Sequence, residues 1–210
     1  RFRIGETEIL LYYGKPSPYN VAQEIYIDMI PVTDYITSGV WQIILNPTRV
    51  VEGQYDLWLP SENVLNRGTG FLYPDEEVTL TIPSTADKVI SVGAYDALTF
   101  SYASFSGRGY TWQDERTKPD LVAPGVNVRT IAVGGGVTVV SGTSFATPFV
   151  TGASALLMEW GIVRGNDPFL YGEKVKAYLR RGARELPGFG KYPNREVGYG
   201  RLCLERSLPD

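Results

Sequence analysis

Apolar positions along the chain follow two different rhythms. From Ile4 to Ile82 they come in short runs separated by turn residues, and no run keeps a 3.6-residue period long enough to predict a helix. In Val78-Thr79-Leu80-Thr81-Ile82 the apolar residues alternate with threonines, the pattern of a strand with one wet face. Trp41, Ile43 and Leu45 alternate in the same way, as do Tyr55, Leu57 and Leu59, and Pro47 and Glu52-Gly53 punctuate the connection between them. Short strands at this spacing predict an antiparallel sandwich or jelly roll, with Trp41, Tyr55 and Trp58 assigned to core packing in preference to a sugar-stacking platform.

From Asp87 onward the rhythm changes. Lys88-Val89-Ile90-Ser91-Val92-Gly93-Ala94 is a near-continuous apolar strand, as expected for a parallel sheet covered on both faces. A boundary near Pro83 therefore divides the chain into residues 1–83, a β module, and residues 84–210, an α/β unit. Within the second part, Val128–Val133 and Val137–Val140 flank Gly134-Gly135-Gly136, and their β-branched content predicts a hairpin. The glycine triplet is no phosphate loop, because no Gly-Lys-Ser/Thr follows it.

The hairpin delivers the chain to Val140–Ile162, VSGTSFATPFVTGASALLMEWGI, which reads as a buried helix with a serine at its mouth and an apolar run too short to span a membrane. Pro148 inside it leaves the Ser144 carbonyl without its usual partner, and Gly152 is expected to let another backbone approach. A second helix is predicted with Asn166 or Asp167 as cap, Pro168 opening it and Arg180 and Arg181 near its negative end as a solvated face.

Composition narrows the function classes. A net charge of −3 provides no basic field for nucleic acid, and 43% hydrophobic residues suffice for a core. The single cysteine, Cys203, reads as a small buried hydrophobe, since it has no disulfide partner and sits in no metal-ligand spacing. No signal peptide or membrane-length run is apparent, and the chain opens on Arg1, from which we expect it to be a piece of something longer.

The candidate chemistry lies at Ser144. The free N–H groups of a helix mouth can stabilise an anion forming beside its Oγ, although a hydroxyl there also serves as a plain N-cap with no chemistry attached. The order Gly142-Thr143-Ser144-Phe145-Ala146-Thr147-Pro148, with Val150 and Gly152 in step, resembles the nucleophile motif of the subtilisin-like serine proteases. Upstream, the Lys88–Ala94 strand, Ala103-Ser104-Phe105-Ser106-Gly107-Arg108-Gly109 and Lys118-Pro119-Asp120-Leu121-Val122-Ala123-Pro124-Gly125 are similar to the stretch that leads to that serine. Gly198-Tyr199-Gly200-Arg201-Leu202 resembles the end of such catalytic domains, closed by a final strand and helix. The run Gly39–Leu45 followed by Gly53–Leu59 resembles the jelly roll inserted in clostridial germination subtilases. One departure is Phe149, where many members carry a non-catalytic histidine.

The resemblance implies an α/β fold: the C-terminal half of a subtilisin-like parallel-sheet domain, preceded by part of an antiparallel jelly roll. It assigns Ser144 as catalytic nucleophile, supported by Gly142, Thr143 and Pro148, with the Ser144 N–H as one oxyanion donor and Asp120 in a loop away from the triad. Such a nucleophile needs a histidine oriented by an aspartate, and the chain contains no histidine. The family order places the histidine, the aspartate and the oxyanion asparagine upstream of Arg1, so the N-terminal portion of the same protease is the expected partner, and a protein or peptide the expected substrate. This chain alone is then expected to be inactive. No cofactor or catalytic metal is implied, with a structural calcium left open. No nucleic acid or membrane is expected as a partner, and extracellular or spore-associated placement follows from the family only. Two alternatives stay open: a pseudoprotease regulator lacking a triad partner upstream, and a jelly-roll binding module.

Overall fold

In a computed structural model of the chain, residues 1–18, 22–51, 53–60, 64–111 and 116–209 are described. Contacts divide it into two compact units, Arg1–Ser61 and Glu62–Asp210.

The first unit is built on an antiparallel meander of β1 (Phe2–Ile4), β2 (Thr7–Gly14) and β3 (Glu24–Pro31), in the order β1-β2-β3. Register is fixed by pairs such as Ile9↔Met29 and Tyr12↔Tyr26, whose rings lie 5.9 Å apart. Thr37 ties the following segment to the sheet: its N–H donates to Thr7 Oγ1 at 2.7 Å, its Oγ1 accepts from the Glu6 N–H at 2.9 Å, and its carbonyl accepts from the Trp41 indole at 3.0 Å.

The strands expected over Trp41–Leu45 and Tyr55–Leu59 do not form. Alternation supplies a face for burial but no ladder partner, and none of these residues pairs with another strand among the described residues. Glu52 of the expected turn lies outside the described residues. Trp41 is half-buried, whereas Tyr55 and Trp58 are 71% and 57% exposed, against the expectation that they pack into a core. Ile9 is the one buried hydrophobic side chain of this unit among the described residues.

The strand expected over Val78–Ile82 is also absent. Val78 takes a positive φ of 54°, which breaks an extended run, and the chain instead folds onto the loop after Phe105. There the Thr79 N–H donates to the Arg108 carbonyl at 2.8 Å and Thr79 Oγ1 accepts from the Arg108 N–H at 2.9 Å. This segment belongs to the second compact unit.

The second unit is centred on a small mixed sheet. β4 (Val92–Asp96) pairs in parallel with β8 (Leu121–Pro124) and antiparallel with β5 (Ser101–Tyr102). The predicted parallel strand is present but begins at Val92, four residues after Lys88. Two further antiparallel pairs form, β6 (Gly109–Thr111) with β7 (Arg116–Lys118) and β9 (Val128–Ile131) with β10 (Val137–Val140), the latter a hairpin turning through Gly134–Gly136 as expected.

Both faces of this sheet are covered, which is why its strands read as continuous apolar runs. On one face Ala94, Leu121 and Ala123 meet helix α1 (Thr143–Met158) and helix α2 (Gly172–Gly182). On the other, Tyr95 and Val122 pack with Leu186 and Val197. Along α1 the buried residues are Ala146, Val150, Ala153 and Leu157. Their 4-3-4 spacing places them in one stripe facing the sheet. The C-terminal segment runs beside β8, with a parallel bridge Val122↔Arg201, and ends in α3 (Leu204–Ser207). Cys203 is half-buried at the start of α3 rather than deep in the core.

Several helical details depart from expectation. Past Met158, α1 widens into a π-helical turn over Glu159–Val163, and the combined run Thr143–Val163 is long and apolar enough to cross a membrane by length and composition. Its inner stripe packs on the sheet. Gly152 faces open space, and among the described residues no backbone approaches it. α2 starts at Gly172 instead of Pro168, because Asp167 is engaged elsewhere: its carboxylate accepts from Lys174 Nζ at 2.7 Å and from the Tyr178 hydroxyl at 2.9 Å. Lys174, the largest influence, holds the Asp167 carboxyl below its ordinary range.

Candidate functional site

Ser144 is the second residue of α1, at the carboxyl end of parallel strand β8. The seat beneath it is made of small groups. The Gly125 N–H donates to the Tyr95 carbonyl at 3.0 Å, and its own carbonyl accepts from the Gly142 N–H at 2.8 Å. A Cβ on Gly125 would lie 2.6 Å from the Ala94 Cβ and 3.1 Å from the Gly142 carbonyl, so only glycine lets the serine loop settle on the sheet. Ser141 adds a second tether, its Oγ accepting from the Asn127 N–H at 2.9 Å.

The helix opens at Gly142, whose φ of 148° favours glycine. No side chain caps it, and its first turn carries no acidic residue. The capping role weighed for the Thr143 and Ser144 hydroxyls is therefore not what they perform here. Ser144 is exposed, and its Oγ has no hydrogen-bond partner among the described residues. Thr143 is half-buried, and its carbonyl accepts from Thr147 Oγ1 at 3.0 Å. Pro148 sits inside α1 and supplies no N–H to the Ser144 carbonyl. Phe149 is exposed.

This arrangement provides a hydroxyl free to react beside an uncapped helix start, whose N–H groups favour negative charge. It provides no base, since the chain has no histidine. Among the described residues no group of three or more histidine, cysteine, aspartate or glutamate side chains is placed to hold a metal ion.

Sequence reasoning passed over a second polar cluster, away from the serine motif. Asp120 is completely buried, and its carboxylate accepts from the Ser91 N–H at 2.6 Å and Arg180 Nε at 2.8 Å. Lys118 and Lys176 stand 3.2 and 3.3 Å from it. Arg180, expected on a solvated face, is instead bound to Asp120 and lies 4.9 Å from the centre of the Tyr199 ring. Burial pulls the Lys176 ammonium down to about 8, against the opposing pull of Asp120. No local signal marked it: Lys176 and Arg180 lie in a helix that also carries Glu173, Lys174 and Arg181, and Lys118 and Asp120 are far from that helix in sequence.

A model of the subtilase family matches residues 72–200. Over 98% of its length the chain resembles the CspB protease of Clostridium perfringens, with 45% identity and a TM-score of 0.86, covering 43% of that structure. It is also 39% identical over 134 residues to the membrane-bound transcription factor site-1 protease of Mus musculus, covering 12% of that protein. Serine protease AprX of Bacillus subtilis is 34% identical over 156 residues, of which the chain covers 33%. The chain thus spans less than half the length of these relatives. With a mixed sheet whose β4 and β8 run in parallel, an uncapped helix start at Gly-Thr-Ser and a family match over more than half its residues, the chain belongs to the subtilase family.

Proposed function

We propose that this chain is the serine-bearing part of a subtilisin-like endopeptidase, with Ser144 as the nucleophile and the histidine and aspartate supplied by a segment outside its sequence. The observation that carries the reading is the exposed Ser144 Oγ, without a partner among the described residues, at the uncapped start of α1. A substrate carbonyl attacked by this Oγ would develop its negative charge beside the first N–H groups of the helix, the Ser144 N–H among them. Gly142 and Thr143 set the loop, and Pro148 frees the Ser144 carbonyl within the first turns.

The Ser144 proton has no acceptor in this sequence, because it holds no histidine. In the subtilisin case removal of nucleophile or base costs about a millionfold in turnover, so the chain alone is inactive on this reading. The substrate is a protein or peptide, as the relatives are proteases. The partner is the N-terminal portion of the same protease, carrying histidine, aspartate and the oxyanion asparagine. Residues 1–83 belong on this reading to an inserted jelly roll; their support is the three-stranded meander and the exposed apolar side chains of Ile43, Leu45, Leu57 and Leu59, which lack strand partners here.

The test is peptide hydrolysis by the assembled protease with and without Ser144→Ala. The substitution removes a small exposed group, so folding should survive while hydrolysis falls by about a millionfold. Hydrolysis that survives Ser144→Ala overturns the nucleophile assignment, and an assembled protein that is inactive with histidine and aspartate in place supports a pseudoprotease instead.

A further inference from the structure

The second polar cluster opens onto a cleft of about 410 Å³ between the Asp87-Lys88 segment, the end of β7, α2 and Tyr199. Among the described residues its lining carries four cations, Lys88, Lys118, Lys176 and Arg180, against two carboxylates, Asp87 and Glu173, with Asp120 buried behind them. Glu173 is paired with Lys88 at 3.8 Å on the exposed rim. Deeper in, Lys118, Lys176 and Arg180 share the single carboxylate of Asp120.

Lys176 spends its ammonium on the Asp87 carbonyl at 2.8 Å, the Val89 carbonyl at 2.9 Å and Asp120. Lys118, 2% exposed, donates to the Val89 carbonyl at 2.9 Å and Asp120 at 3.2 Å, which uses two of its three N–H bonds. Arg180 gives Nε and one terminal nitrogen to Asp120, and its Nη1 has no partner among the described residues. A buried excess of positive charge is costly unless an anion balances it. The spare donors on Lys118 and Arg180 border one cleft, and the Arg180 guanidinium, 4.9 Å from the centre of the Tyr199 ring, keeps Nη1 to offer an incoming oxygen.

We propose that this cleft is a binding site for a small oxyanion, phosphate or carboxylate, held by Arg180 and Lys118 and neutralising the cluster around Asp120. The site is independent of the serine chemistry, and its occupant would brace α2 against the Lys118-Pro119-Asp120 turn that feeds β8.

Among the described residues, the groups facing Lys176 are Lys118 at the end of β7 and Asp120 before β8, Asp87 and Lys88 from the segment before β4, and Glu173 and Arg180 from α2 itself. An anion binding beside them favours protonated Lys176, and a tenfold preference for that form moves its titration midpoint up by one pH unit. The experiment follows the lysine ¹³Cε resonances of the full chain through pH in sodium chloride, sodium phosphate and sodium acetate at matched ionic strength. We expect the Lys176 midpoint, about 8 in chloride, to rise by about one unit in phosphate or in acetate, the effective anion identifying the chemistry. Glu173→Gln, which removes a rim carboxylate, should tighten the effective anion about two- to threefold. An identical Lys176 midpoint in all three salts overturns the proposal.

Discussion

Two side chains of the second unit sit in opposite environments, and each sets its own chemistry. Ser144 is exposed and unpartnered among the described residues, while Lys176 is buried with its three donors engaged. For Lys176 the consequence is a stability profile. Its folded pKa of about 8 lies below the ordinary 10.5 because of burial. Below pH 8 both folded and unfolded states carry the charge, and the cost of burying it is fully present. Between pH 8 and 10.5 the folded state sheds the proton first, so the contribution of this group to stability rises with pH. Urea unfolding of wild type against Lys176→Met should show the gap shifting in favour of wild type across that window; a constant gap would contradict the assignment. Gly125 supplies a second residue-scale test. Gly125→Ala would press a Cβ onto Ala94 and the Gly142 carbonyl, and should cost about 1–3 kcal/mol by denaturant unfolding. The serine motif was legible because its signature is contiguous, Gly142 to Pro148. The Asp120 cluster was not, since its partners Ser91 and Arg180 lie 29 and 60 positions away and nothing local marks them.

At the scale of elements, legibility followed whether an element carries its own partners. The β9–β10 hairpin and α1 close their hydrogen bonds within one contiguous segment, and both appear where periodicity and turn residues put them. Trp41–Leu45 and Tyr55–Leu59 have the alternation of strands, but a strand needs a neighbour that alternation does not specify. The start of α2 was misplaced because Pro168 suits a first turn, whereas Asp167 pairs with Lys174 and Tyr178 and so binds the loop to the helix from outside it. α1 itself rests on the stripe Ala146, Val150, Ala153 and Leu157. Leu157 is fully buried, and Leu157→Ala should destabilise the second unit by about 2–5 kcal/mol. Gly152, open to solvent, gives the contrast: Gly152→Ala should raise stability by about 0.5–1 kcal/mol in the same unfolding measurement.

At the scale of the molecule, contacts divide the chain between Ser61 and Glu62, ahead of the change of rhythm near Pro83. The first unit has one buried hydrophobic side chain among its described residues, and the second holds the other fifteen. The family match covers residues 72–200, within the second unit, and the relatives extend well beyond the part this chain spans. On our reading the chain brings a nucleophile and an anion-stabilising helix start, and depends on another segment for the base. Labelling by a fluorophosphonate probe, which requires an activated serine, tests that division most directly. The chain alone should remain unlabelled. Joined or reassociated with the segment supplying histidine, aspartate and asparagine, it should be labelled at Ser144, and Ser144→Ala should abolish the label. Strong labelling of Ser144 in the isolated 210-residue chain, or none in the complete assembly, would contradict the account.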